Sequence, residues 1–346
     1  MISQETADRI KAIRNEIDDY QQTVLALKAT ANEFMFDDEV GDLNREVKVR
    51  FGRRMKKSSD KIVTPDLVVT RSSGYGIVGE AKLALPDTKE YQVKEILQIK
   101  EYDDDLSGWD TVDGRIQSHD IIQLVHHLRG PTVRQLVEEM QQKGELILER
   151  NLAVVRFCTV AQRDTWLSLE LCCGALQDKV KQAKLAKCLP IKYSLVAGNP
   201  HFASVKLYDA CPPLPYLMVL IHETIVNELT QDKLLQLREE GRLWVELNVQ
   251  DFRRKLSSFY GPGEEGEAVP EIPRANWIHN AMNQFVAMGW AKKHKDENDT
   301  YDYEVRKRRK LDEQFIRVYA KTMLRKETQK RRKGKPDNIR QRNLFE

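Results

Sequence analysis

Two short apolar runs, KIVTPDLVVT (61–70) and YGIVGEAKLAL (75–85), are separated by turn-forming residues, and they constrain the fold of this 346-residue chain more than any other stretch. Branched and aromatic residues on either side of Ser72, Ser73, Gly74 and Gly76 predict a β-hairpin. A turn centred near Ser73 and Gly74 pairs residues whose numbers sum to about 146–148, which sets Asp66 opposite Glu80 or Lys82. Side chains alternate across a strand, so Asp66, Glu80 and Lys82 share one face. Leu67, Val69, Ile77, Ala81 and Leu83 can then line the core face.

The flanking sequence sets this hairpin in an α/β domain. Ile10, Ile13, Ile17, Tyr20, Val24 and Leu27 recur at steps of three and four, one apolar stripe of a helix running to about Phe34. EVKVRFG (46–52) precedes the hairpin as a strand, and a polar helix over 88–106 follows it. IIQLVHHL and VRQLVEEMQQKG read as helices. LAVVRFCTV (152–160), KYSLVAG (192–198) and ASVKLYDA (203–210) read as strands, and YLMVLIHETIVNEL (216–229) as a helix. Strands mixed with helices in this way predict an α/β domain over residues 1–229. From Thr230 the pattern becomes helix (231–240), helix (249–260), a Gly/Pro/Glu loop, helix (274–289, burying Trp277, Ala281, Phe285 and Met288) and a hairpin. That is the order of a winged helix-turn-helix over 230–305. A basic tail occupies 306–346.

Charge first argues against a nucleic-acid protein, since 56 Lys and Arg against 53 Asp and Glu leave only +3. The charges are unevenly placed. Residues 301–346 hold 16 basic and 7 acidic side chains, a net +9, so the remaining 300 residues carry −6. The longest apolar run, LPYLMVLI (214–221), is far short of the roughly 20 residues a membrane helix needs. The N-terminal segment carries acids and no apolar h-region. Five cysteines without CxxC spacing argue against a disulfide framework and a zinc ribbon. A cytoplasmic, reducing environment is the expectation, with no membrane partner.

Two carboxylates and a lysine on one sheet face form a site with definite chemistry. Mg²⁺ takes one or two carboxylates together with water and phosphate oxygens, and Mn²⁺ suits the same oxygen donors. The lysine can stabilise phosphate charge, or deprotonate water if its pKa is lowered. Pro65-Asp66 followed by Glu80-Ala81-Lys82 resembles the signature of the PD-(D/E)xK nuclease superfamily. Gln98-Ile-Lys-Glu-Tyr102 adds the QxxxY helix of its RecB-like subset, the two side chains being one helical turn apart. The resemblance covers some 30–60 residues. It implies a restriction-endonuclease-like mixed sheet flanked by helices, with Asp66, Glu80 and the Ala81 carbonyl holding the metal and Lys82 acting on water. Gln98 and Tyr102 would position the phosphate or the metal-bound water. A glutamate on the preceding helix, best matched by Glu33 and less well by Glu39 or Glu46, would complete the site.

The function so implied is a metal-dependent DNA endonuclease, in phage defence or restriction or in DNA mobility or repair. The rival reading is a catalytically inactive DNA-binding or scaffolding subunit of a larger complex. No P-loop sequence is present, which leaves any ATP-driven step to a partner ATPase. For DNA contact, Arg274, Asn276 and Asn280 are polar residues of the third helix, Lys292 and Lys293 stand at the wing, and Arg306, Arg308 and Arg309 open the tail. Gln341-Arg-Asn-Leu344-Phe345 resembles the QxxLF peptides that bind the bacterial sliding clamp, a five-residue match that chance also supplies. His119, His126 and His127 lack cysteine partners at zinc-ligand spacing.

Overall fold

The first helix forms as its stripe requires. It runs from Gln4 to Met35 (α1), and Ile13, Ile17, Tyr20, Val24 and Leu27 are buried along it. The computed structural model describes residues 3–37, 41–44, 46–82, 89–162, 165–209, 211–261, 273–294, 299–306 and 311–333. The chain divides into a unit of residues 19–212 and 253–274 and a unit of residues 1–18, 213–252 and 275–346.

The larger unit is α/β and is built on one mixed sheet of seven strands. These are β1 (Lys48–Phe51), β2 (Leu67–Thr70), β3 (Tyr75–Lys82), β4 (Ser118–His126), β5 (Leu152–Gln162), β6 (Thr165–Gly174) and β7 (Leu189–Lys192). They lie side by side in chain order. Neighbours are antiparallel except for β3 with β4 and β4 with β5, which are parallel. Parallel neighbours need a long crossover. Helix α2 (Lys89–Leu97), extended by a 3₁₀ turn over Gln98–Tyr102, supplies the first, and α3 (Gly130–Gln142) the second. Ile96, Ile99 and Tyr102 from the first crossover and Val133, Leu136, Val137 and Met140 from the second join Val68, Val78, Ile121, Val125 and Val154 in one core. The alternate residues Leu67, Val69, Ile77, Ile122 and Leu124 are equally buried, so both faces of the sheet are covered.

That double burial accounts for one correction. IIQLVHHL is the central strand β4, not a helix, and Ile121, Ile122, Leu124 and Val125 are all fully buried. A strand covered on both faces shows no alternation, and a short apolar run then reads equally well as helix. KYSLVAG is also corrected: Tyr193–Ala197 is a short helix (α4), and the strand β7 ends just before it. Residues 203–210 form no strand among the described residues. The hairpin β5–β6 extends through WLSLELCCG, which the sequence reading passed over.

In the smaller unit, helix α5 (Leu214–Asn227) is followed by α6 (Gln231–Glu240), strand β8 (Arg242–Asn248) and the start of α7 (Val249–Ser257). The chain re-enters this unit at α8 (Ala275–Ala287), then β9 (Ala291–Lys293), β10 (Thr300–Arg306) and α9 (Leu311–Lys333). The three strands form an antiparallel sheet in the order β8-β10-β9. Strand β8 was not expected. Thr230 caps α6 by accepting the Lys233 amide, and Gly241 ends it in the left-handed conformation, φ 73°. Helix α8 buries Ile278, Ala281, Met282 and Phe285, while Trp277 and Met288 are half-buried, so the core stripe is turned by one residue from its expected place. Phe285, Trp290, Tyr303 and Phe315 pack ring against ring. No helix among the described residues is long and apolar enough to cross a membrane.

Gly76, expected in the hairpin turn, instead lies within β3 opposite Thr70. A Cβ there would sit 2.4 Å from the Trp109 ring and 2.6 Å from Ile116. Trp109 is buried and donates its indole N–H to the Leu106 carbonyl at 2.8 Å, so its ring is not free to yield. Gly76→Ala is expected to destabilise the larger unit by about 1–3 kcal/mol through overpacking. Urea unfolding followed by tryptophan fluorescence measures this, and an unchanged midpoint would contradict it.

Candidate active site

The hairpin pairs Leu67 with Gly79, Val68 with Val78 and Val69 with Ile77. Continuing that register by one residue sets Asp66 beside Glu80. Asp66 Oδ2 accepts the Ala81 backbone N–H at 2.7 Å, which ties the aspartate to the end of β3. Asp66 is 6% exposed and Glu80 4%. Glu80 stands near the carboxyl end of β3, which runs parallel to β4, and Asp66, just before the antiparallel β2, lies beside it. Open α/β sheets form their ligand crevices at the carboxyl ends of parallel strands.

The crossover brings the remaining predicted groups to this pair. The Tyr102 hydroxyl donates to Glu80 Oε2 at 2.5 Å. Lys82 Nζ lies 2.9 Å from Glu80 Oε1 and 2.9 Å from Glu95 Oε2, and it donates to Gln98 Oε1 at 2.8 Å. The sequence reading put Gln98 and Tyr102 on one face of an α-helix. The helix instead tightens to 3₁₀ at Gln98, and four residues in a three-residue turn rotate the two side chains apart. Gln98 is exposed and meets Lys82, while Tyr102 is buried and meets Glu80. His119, itself buried, fixes the turn by hydrogen bonding through Nε2 with the Tyr102 carbonyl at 2.9 Å.

The electrostatics follow from burial. Burial and the neighbouring Glu80 hold the Asp66 carboxyl well above the usual range, against the opposing Ala81 hydrogen bond. Burial alone would lower Lys82, but the ion pairs with Glu80 and Glu95 outweigh it and raise its pKa. In the metal-free protein Lys82 is therefore held as the cation, the form that can stabilise negative charge.

Two members of the group were missed by the sequence reading. Glu95 is one helical turn before Gln98, so its place beside Lys82 carried a spacing signal that went unused. Asp209 lies in an irregular segment and carried none. Phe202, in the short helix Pro200–Ala203 just before it, packs edge-on against Phe51 with ring centres 6.0 Å apart, and the next residue, Gly52, donates its amide to the Asp66 carbonyl. The Tyr260 hydroxyl donates to the Asp209 carbonyl at 2.5 Å, and the Cys211 amide donates to its Oδ1 at 2.9 Å. Burial pushes the Asp209 carboxyl up to about 7, with Glu80 adding repulsion and the Cys211 amide and Lys82 opposing it.

Glu33 takes another place. It is held by Lys181 at 3.0 Å and Lys184 at 3.3 Å. The carbonyl of the next residue, Phe34, accepts from Arg71, at the turn end of β2 and five residues from Asp66. At about 3.3 Å per residue, that is roughly 17 Å of strand. Glu46 is exposed and accepts from the Ser72 hydroxyl at the same turn. Glu39 lies outside the described residues.

In the smaller unit, Asn276 and Asn280 are exposed on α8. Lys292 Nζ lies 4.6 Å from the centre of the Trp244 ring, and Lys293 lies 3.7 Å from Asp299. Arg306 is bound to Glu304 and lies over the Trp290 ring. Arg274, in the larger unit, is exposed. Arg308, Arg309 and the segment 341–345 lie outside the described residues. Glu246, His294 and Asp302 bring one ligand atom each within 4.8 Å of one another on the three-stranded sheet, with the glutamate exposed and the other two half-buried.

The donor set at Asp66 fits a hard divalent cation. Two buried carboxylates and a third nearby, Asp209, face one lysine that is shared with Glu95, and oxygen donors with excess negative charge are what Mg²⁺ and Mn²⁺ take. No family model matches the chain, and neither does any curated protein or solved structure.

Asp209 allows a test through pH. A carboxyl raised on folding from 3.8 to about 7 binds its proton more tightly in the folded protein. Its contribution to stability is complete below the unfolded value and is lost as pH rises through the folded one. In EDTA, the wild type is expected to lose melting temperature relative to Asp209→Asn between about pH 5 and pH 8. A difference independent of pH would contradict this placement of the carboxyl.

Proposed function

We propose that the chain is a metal-dependent DNA endonuclease of the PD-(D/E)xK type. The observation carrying this reading is the buried pair Asp66 and Glu80 with the half-buried Lys82, joined by Gln98 and Tyr102. Asp66, Glu80 and the Ala81 carbonyl would hold Mg²⁺ or Mn²⁺. When bound, such an ion polarises a phosphoryl oxygen and lowers the pKa of a coordinated water.

The protein's own groups have distinct tasks in this reading. Tyr102 fixes the rotamer of Glu80 through its hydroxyl. Lys82, kept protonated by Glu80 and Glu95, offers a cation to the charge that builds on the phosphate. Gln98 and Glu95 aim Lys82 and leave its charge intact. The mixed sheet flanked by helices agrees with the architecture that the resemblance implies.

DNA as substrate draws on the smaller unit. Helix, strand, helix, helix and hairpin follow one another in the chain, with the first strand paired to the last, as in a winged helix. In that reading α8 is the helix that meets the groove, and Asn276 and Asn280 stand on its exposed side.

With Mg²⁺ or Mn²⁺, purified protein is expected to cut DNA, and EDTA is expected to abolish cutting. Asp66→Ala, Glu80→Ala and Lys82→Ala should each lower the single-turnover rate by at least ~100-fold, while Gln98→Ala should lower it by ~10-fold through misplacement of Lys82. Cutting that persists in all three alanine variants would refute the site. A wild type that binds DNA but never cuts it, alone or with partners, would favour the inactive scaffolding subunit. Cleavage of single-stranded RNA alone would overturn the substrate.

A further inference from the structure

Helix α9 separates two kinds of side chain cleanly. Phe315, Ile316, Tyr319 and Ala320 are buried in the smaller unit. Arg317, Lys321 and Arg325 are exposed, at steps of four residues along one side. Each makes no hydrogen bond or ion pair to any other described residue, whereas nearby charges do. Glu327 is bound to Arg9, and Lys326 donates to Gln284 Oε1 at 2.7 Å. Two other cations expected to meet DNA are also engaged, Lys293 of the wing by Asp299 and Arg306 of the tail by Glu304.

Lys321 has a like charge four residues away on either side, an arrangement that destabilises an isolated helix. An external polyanion removes that penalty. Four residues rise about 6 Å, so Arg317 to Arg325 spans about 12 Å. Over that length a DNA strand, rising about 3.4 Å per nucleotide, presents three or four phosphates. An anionic membrane is the other surface a basic helix can meet, but it needs an apolar face to insert. The apolar face of α9 is already used in packing.

We propose that Arg317, Lys321 and Arg325 form a phosphate-contacting ridge that holds the backbone of duplex DNA, separate from the groove-facing side of α8. This inference rests on the DNA-binding half of the proposed function and not on its chemistry. The ridge reads no bases, so its contribution is sequence-independent and falls with salt.

The test uses the full-length chain in EDTA, so that its outcome does not depend on whether Asp66 and Glu80 hold a metal. Fluorescence anisotropy with a 30-base-pair duplex gives Kd across a series of KCl concentrations for the wild type and for R317Q/K321Q/R325Q. Glutamine keeps helix propensity, and circular dichroism with a melting curve verifies folding. The triple variant is expected to bind more weakly, with the slope of log K against log salt reduced by about 2.7, the value for three lost phosphate contacts. Single substitutions should each remove about a third of that slope. An unchanged slope in the folded triple variant would overturn the proposal. So would wild-type protein that ignores the duplex yet sediments with phosphatidylserine vesicles, an interaction that the triple variant loses.

Discussion

The arrangement at the centre of the larger unit depends on two carboxylates, Asp66 and Glu80, buried side by side at a strand end. Buried like charges repel, and the fold meets this in three ways. The Ala81 amide caps Asp66, the Tyr102 hydroxyl caps Glu80, and Lys82 supplies a positive charge in direct contact with Glu80. The Asp66 pKa stays raised, first by burial and then by Glu80. A stability-optimised sheet would place apolar side chains there instead. This cost is what leads us to propose a cation site between the two carboxylates.

The rest of the unit can be traced from that pair. Strand β3 runs parallel to β4, so the chain must cross over after Lys82. The crossover helix reaches its 3₁₀ end beside Glu80, and His119 on β4 pins the turn by its carbonyl. Groups from the residue before β2, from β3, and from α2 with its 3₁₀ turn thereby meet at one end of the strands. Lys82 has three polar partners in Glu80, Glu95 and Gln98, so its ammonium is oriented as well as charged.

Much of this was legible in the sequence, and the reasons are local. The hairpin announced itself through Ser72, Ser73 and Gly74, and turn geometry narrowed the partner of Asp66 to Glu80 or Lys82, of which the observed register selects Glu80. Periodicity gave α1, α3 and α5. Strand β4 was lost because burial on both faces erases alternation, and β8 because seven residues between two helices carry little signal of their own. Glu33 had the right residue type on the right helix, yet Lys181, distant in sequence, holds it elsewhere. Asp209 shows the opposite case. Its position depends on long-range contacts of Phe202 with Phe51 and of Tyr260 with its own carbonyl, and no local pattern encodes those.

The central claim is that Asp66 and Glu80 form a divalent-metal site in this chain. Calorimetric titration of the metal-free protein with Mn²⁺ near pH 6, in two buffers of different ionisation enthalpy, tests it without reference to catalysis. Burial and the neighbouring Glu80 raise the pKa of Asp66, so metal binding at this carboxylate is linked to proton release. The account expects binding accompanied by proton release, with both lost in Asp66→Ala. Absence of binding, or binding that Asp66→Ala leaves unchanged, would contradict it.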